Sequence, residues 1–154
     1  VSNKKQDNFE NFFWDLVFLA GGIWLLNKIL SQPKKSVGIF GITYERNLEP
    51  YIDKNGRKLF EQDLKDFSPN EIGIIIREMI VKARELPSLS SPFFKPLKGT
   101  KITAELKHNH FRIMMYRISD DDYLMLSVFK KKTDETPKNE IDRAEKRLAE
   151  YLSR

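Results

Sequence analysis

The 154-residue chain contains no cysteine. Disulfides, zinc–thiolate centres and thiol nucleophiles are therefore excluded. It has two histidines, His108 and His110, and a His-x-His pair without further ligands is a weak metal signal. It also lacks an unbroken apolar run of about 20 residues, the length a membrane-spanning helix needs. No phosphate-binding loop, dinucleotide-binding glycine fingerprint, nucleophile elbow or zinc-protease motif occurs, so those reaction classes lose support. The seven glycines and seven prolines form no repeat and no low-complexity tract.

Positive charge is present, and it is unevenly placed. The net charge is +5, from 27 Lys and Arg against 22 Asp and Glu. The stretch 37–94 is close to neutral, whereas 95–154 holds most of the excess, including three consecutive lysines, Lys130 to Lys132. A local field of this kind suits an anionic partner.

Hydrophobicity peaks at the other end. Phe12 to Leu26 has Asp15 as its only charge and contains Gly21-Gly22. The run admits three readings: a helix docked on this or another protein, a helix lying in a membrane interface, or a single membrane anchor. No small-x-small cleavage site follows it, as a signal peptide would require. Ser31 to Ser36, with Pro33, Lys34 and Lys35, reads as a linker. The chain is thus expected to divide into 1–36, an apolar helical extension plus linker, and 37–154, the main domain.

In the main domain, Val37 to Arg46 is rich in strand formers and reads as a strand. Arg57 to Phe67 has helical spacing. Ser68-Pro69-Asn70-Glu71 is a helix start, with Ser68 as cap, Pro69 at the first position and Glu71 closing a capping box. Leu86-Pro87 ends that helix. Leu89 to Lys98 reads as a connecting loop. Lys101–Lys107, Phe111–Ile118 and Tyr123–Lys131 read as strands joined by short turns, hence an antiparallel meander. Thr136-Pro137 starts a last helix to Leu152. The order strand, helix, helix, three strands, helix defines an α+β domain with a mainly antiparallel sheet.

The meander gathers the polar residues. Thr103, Glu105 and Lys107 share one face of the first strand. Arg112 and Tyr116 share a side of the second, and the third delivers Lys130, Lys131 and Lys132 at its exit. Such cations suit a phosphodiester backbone. Metal-free RNA cleavage needs the 2′-OH deprotonated, phosphorane charge stabilised and the 5′-oxygen protonated. A lysine crowded by cations can enter proton transfer, Glu105 is an alternative base, and Tyr116 could stack on a splayed base. Each residue also has a plainer reading. The lysine run is also what solvated surface looks like, Arg112 could pair with a carboxylate, and Tyr116 could fill the sheet. His108 and His110 flank a turn, and Asp120-Asp121-Asp122 lacks calcium-loop spacing.

Phe111-Arg112-Ile113, Phe129-Lys130-Lys131-Lys132-Thr133, Thr136-Pro137 and Glu140-Ile141-x-x-Ala144 resemble, in order and spacing, the HigB-like branch of the RelE/ParE toxin superfamily. The likeness is clearest over Lys95–Leu152. It implies a RelE/ParE-like fold and the toxin of a type II toxin–antitoxin pair, acting as a ribosome-dependent mRNA endonuclease in the cytoplasm. A non-catalytic gyrase inhibitor of the same fold, or a degenerate binding module, is the alternative. The resemblance further implies no cofactor, no metal, and an antitoxin partner, commonly a small helix-turn-helix protein. Position by position it covers Glu105, Lys107, Arg112, Lys130, Lys131 and Thr133. With the strand reading above, the expected site has catalytic Arg112, Lys130, Lys131 and Glu105, and RNA contacts from Lys107, Tyr116, Lys132 and Thr133. Lys107 stands where the family strand has arginine. The apolar segment before Ser31 lies outside the familiar pattern and leaves a membrane or protein partner open for it.

Overall fold

Alternating apolar residues in the C-terminal half pair into the sheet on which the other elements rest. The computed structural model describes residues 2–154. The strands are β1 (Asn47–Pro50), β2 (Phe94–Pro96), β3 (Ala104–His108), β4 (Phe111–Ser119) and β5 (Asp122–Lys130). They lie in the order β1-β5-β4-β3-β2. β1 runs parallel to β5, and all other neighbours are antiparallel. With its flanking helices this is the expected α+β architecture.

The β3–β4 hairpin turns at Asn109, whose φ of 50° falls in the left-handed region that asparagine tolerates. Its register sets Lys107 opposite Arg112 and Glu105 opposite Met114. Across the next ladder Arg112 faces Phe129 and Met114 faces Ser127, while Met115 faces Met125. Leu126 is therefore an extra residue, a bulge that kinks β5.

Two assignments in the main domain differ from expectation. Val37 to Arg46 is not a ladder strand. It folds back on itself through a lone Val37–Thr43 bridge, with Gly38 N–H donating to Ile42 C=O at 2.8 Å. Gly41 sits at φ 72°, and a Cβ on Gly38 would run into the Tyr44 ring, so glycine spacing rather than strand propensity decides here. The strand falls instead at Asn47–Pro50, on the edge of the sheet where a proline lacking N–H is tolerated. At the opposite edge, the Leu89–Lys98 connection contains β2.

The helices follow their signals closely. α1 (Ser2–Ala20) and α2 (Gly22–Ser31) come from the apolar run, followed by α3 (Leu59–Leu64) and α4 (Pro69–Ile75). The Ser68–Glu71 capping box is formed in both directions. α4 continues through a π-helical stretch, Ile76–Val81, into α5 (Lys82–Glu85), and the chain turns extended at Leu86 before Pro87. α6 (Lys138–Leu152) closes the domain. Its first turn receives no side-chain cap, because Pro137, which has no side-chain acceptor, occupies the cap position; the expected Thr136 hydroxyl bonds to Glu105 instead.

Gly21, at φ 95°, breaks the apolar run, and the two helices bend by 118°. Among the described residues no single helix is long and apolar enough to cross a membrane, although the bent pair together meets the length and composition. Phe13, Val17, Leu25, Leu26 and Ile29 are buried in the common core. The helices approach α4 closely: methyls on Gly22 or Gly73 would overlap Ile72 or Trp14 respectively. Glu10 pairs with Arg77. Phe18 and Leu19, at 61% and 86% exposure, remain on the outside of the bend.

Two arginines fasten these layers. Arg84, 0% exposed, donates to the carbonyls of Arg46 at 3.0 Å and Ile29 at 2.5 Å, and to that of Gln32. It thus satisfies the carbonyls at the end of α2 that a helix C-terminus leaves unpaired. Its guanidinium lies 3.9 Å from the Tyr44 ring centroid, and burial pulls its pKa below the ordinary arginine value. Arg46 donates in turn to the Ala83, Leu86 and Pro87 carbonyls. At the start of β5, Asp122 accepts from Ser119, Asn47 and Lys34, and these bonds hold its carboxyl below the usual range.

Arg84→Met removes three hydrogen bonds and leaves the Arg46 and Gln32 carbonyls without their side-chain donor, while Ile29 C=O keeps the Gln32 N–H, so it is expected to destabilise the fold by roughly 3 kcal/mol, read as a lower urea midpoint. Asp122 has a depressed folded-state pKa, so its contribution is present at neutral pH and lost as pH falls from about 4 downward. The stability gap between the unaltered chain and Asp122→Asn should accordingly be largest at pH 7 and close in acid.

Candidate nucleic-acid interface

The register that builds the meander also builds a cleft. Lys107 and Arg112 are directly opposed across β3 and β4. Beyond β5 the backbone N–H of Lys131 donates to His110 C=O at 2.6 Å, which extends the β4–β5 pairing by one step. Lys107, His110, Arg112, Lys131, Lys132, Thr133 and Asp134 line a cleft of about 310 Å³. The sheet supplies its floor, and the segment leading to α6 supplies its wall.

Arg112 is the buried member of this group, at 7% exposure. One terminal nitrogen donates to the Asn109 and Phe111 carbonyls at 2.7 and 2.8 Å. Its Nε is buried without a hydrogen-bond partner. The nearest carboxylate is Glu105, at 3.9 Å from that Nε. A buried N–H left without a bond is costly, and the Glu105 carboxylate beside it offsets part of that cost by its charge. Glu105 itself is 1% exposed. Its other oxygen accepts from Thr136 Oγ1 at 3.1 Å. The carboxylate thus ties the segment before α6 to the sheet and stands beside Arg112, withdrawn from solvent.

Two residues singled out in the sequence, Lys130 and Tyr116, lie outside the cleft. Lys130, opposite Phe111, points to the other face of the sheet. There it pairs with Glu71 at 3.0 Å and lies 6.0 Å from the Phe111 ring centroid. The capping-box N–H of Ser68 and the Lys130 ammonium hold Glu71 below the usual carboxylate range. Tyr116 keeps to the Arg112 side of β4 but is four residues along, roughly 13 Å away at strand rise. It is half-buried, faces Leu124, and lies outside the cleft. Lys132 and Thr133 are exposed on the wall. His110, which the sequence placed only in a turn, lines the cleft, because the extra pairing step with Lys131 puts it on the same face as Arg112. Residues of α1 and α2 contribute nothing to the lining. A larger groove, about 510 Å³ between α6 and Gly99–Lys101, is lined mainly by Leu148, Ala149 and Leu152 and offers no cluster of cations.

Fold and cleft together define a small α+β protein with a cationic, partly buried cleft. Residues 62–149, more than half of the chain, match the family described as Phage derived protein Gp49-like (DUF891). The chain belongs to that family, a RelE/ParE-type toxin family of toxin–antitoxin systems, and such membership implies an antitoxin partner. No curated protein matches the chain.

Among the described residues, the Thr136–Glu105 bond is the one side-chain hydrogen bond from the 131–136 segment to the sheet. Thr136→Val is expected to cost about 1.5–3 kcal/mol locally, the range for a hydrogen bond to a charged group. Amide exchange across Lys131 to Thr136 should quicken while that of β4 is unchanged.

Proposed function

We propose that this chain is a HigB-like toxin that cleaves messenger RNA on the translating ribosome without a metal ion. The observation that carries the reading is the buried, incompletely bonded Arg112 at the floor of a cleft ringed by Lys107, Lys131 and Lys132. A guanidinium can hold two phosphate oxygens at once, while lysines add point charge. In the cleft, Arg112 grips the scissile phosphate and stabilises the charge that develops on it as the 2′-oxygen attacks. Lys107 and Lys131 flank it, and Lys132 and Thr133 meet the neighbouring backbone. Glu105 positions Arg112 and the wall. The partner that silences this activity is a small helix-turn-helix antitoxin, and the reaction belongs in the cytoplasm, where ribosomes work.

The test is a translation extract programmed with a defined mRNA and the purified chain. Transcripts cut only when ribosome-bound are the expected result. Arg112→Ala should lower the cleavage rate by about 10²- to 10³-fold, the usual loss when one charge-stabilising donor is removed, with an unchanged circular dichroism spectrum. Lys130→Ala, on the other face, should leave the rate near that of the unaltered chain. Intact mRNA together with inhibited DNA supercoiling would replace this reading with that of a gyrase poison.

A further inference from the structure

Cleavage by 2′-OH attack needs a group that accepts a proton at neutral pH. Of the side chains lining the cleft, Lys107, Arg112, Lys131 and Lys132 are cations and donate only. Glu105, suggested by the sequence as a base, is buried, with one oxygen taken by Thr136 and the other toward Arg112. The Thr133 hydroxyl is no base and donates to the Glu135 carbonyl at 2.8 Å, so two bases remain in the lining, His110 and Asp134. An imidazole can take up a proton at one ring nitrogen while the other donates, which suits it to general acid–base work.

Geometry favours the histidine further. The register runs Arg112 with Phe129, then Phe111 with Lys130. The next step, fixed by the Lys131 N–H to His110 C=O bond, sets His110 opposite Lys131 on the same face as Arg112. Directly opposed residues have Cβ atoms about 5 Å apart. A proton acceptor and a proton donor therefore stand side by side next to the anion site. The groups facing His110 are Lys107 from β3, Arg112 from β4, and Lys131, Lys132 and Asp134 from the segment before α6. His108, at the other end of the turn, has its Nε2 at 3.4 Å from the Asn109 amide and is not among the cleft residues.

We propose that His110 is the proton acceptor of the cleft, and that it works with Lys131 as donor. This rests on the endonuclease reading above. The neutral imidazole takes the 2′-OH proton as the 2′-oxygen bonds to phosphorus. The bond from phosphorus to the 5′-oxygen breaks, and its electron pair takes a proton from the Lys131 ammonium. The products are a 2′,3′-cyclic phosphate and a 5′-hydroxyl, with no change of oxidation state. Solvent then takes the proton from the His110 imidazolium and returns one to the Lys131 amine.

The experiment follows cleavage of ribosome-bound mRNA from pH 5.5 to 9 with the unaltered chain, His110→Ala, His110→Gln and Asp134→Asn. His110 is exposed in its turn, so the variants should fold, which circular dichroism checks. Expected are a rate loss of about 10²- to 10⁴-fold in both His110 variants and disappearance of the limb that rises through neutral pH. Added imidazole should partly rescue His110→Ala. Affinity for an RNA oligonucleotide carrying a 2′-deoxy residue at the cut position should stay within about twofold, because a proton acceptor adds rate rather than ground-state binding. Asp134→Asn should keep the rising limb. If the unaltered chain cuts and the His110 variants cut with its pH profile, or if Asp134→Asn alone loses the limb, this assignment is overturned while the endonuclease reading stands. If the unaltered chain does not cut at all, both fall.

Discussion

β5 is paired on one side along its length but on the other only as far as Met125, where β1 ends. Its remaining edge would leave buried backbone groups open, which a fold of this size cannot tolerate in number. Side chains complete it. Asp63 accepts the Val128 N–H at 3.3 Å. Arg147 donates to the Leu126 carbonyl at 2.8 Å and Arg143 to that of Val128 at 3.5 Å. Arg147 also grips both oxygens of Asp63, at 2.7 and 3.0 Å. This cluster pins α6 to the strand edge. The position of α6 sets where the chain from Lys131 to Pro137 must run, and that run is the wall of the cleft. A carboxylate in the short α3 thus determines the position of cations more than sixty residues later.

The N-terminal helices are joined to the same body by a similar device. Arg84 has no carboxylate partner among its hydrogen bonds, only carbonyl oxygens and the Tyr44 ring. Three acceptors in fixed positions can compensate a buried guanidinium because its donors form a rigid fork. The consequence is mechanical. α2 ends where Arg84 reaches it, and Arg46 returns the favour at the end of α5. The Ser31–Ser36 stretch between them is held by Lys34 at Asp122 and Lys35 at Glu45.

Local signals were legible where a short pattern decides the outcome. Ser68 to Glu71 specified its own cap, Leu86-Pro87 its own stop, and the meander its own hairpins. Val37 to Arg46 misled because strand formers there are interrupted by Gly38 and Gly41, and a loop packed on Tyr44 won over a ladder. The candidate site was half legible. Period 2 correctly grouped Glu105, Lys107 and Arg112 on one face, since β4 carries no inserted residue between Arg112 and Met114. It could not divide the lysine run, because a one-residue offset exchanges faces and the bulge at Leu126 lies upstream. Lys131 goes to the cleft and Lys130 to Glu71 as a result of that register. Tyr116 shares a face with Arg112 but not a neighbourhood, which alternation does not reveal. His110 looked like any turn residue until its partner across the ladder was known.

Arg112 illustrates why such a site is neither fully paired nor fully open. A buried guanidinium with no anion nearby is strongly unfavourable. One clamped by a carboxylate at bonding distance would have nothing left for a ligand. Glu105, 3.9 Å away from Nε, supplies charge compensation without occupying the donor. Its own second oxygen is engaged by Thr136, which keeps it from closing on Arg112. The two backbone carbonyls that Arg112 also reaches fix the plane of the guanidinium. The side chain is therefore held in one orientation, and its charge is partly offset. That arrangement lets one residue brace the hairpin turn and give the cleft its charge.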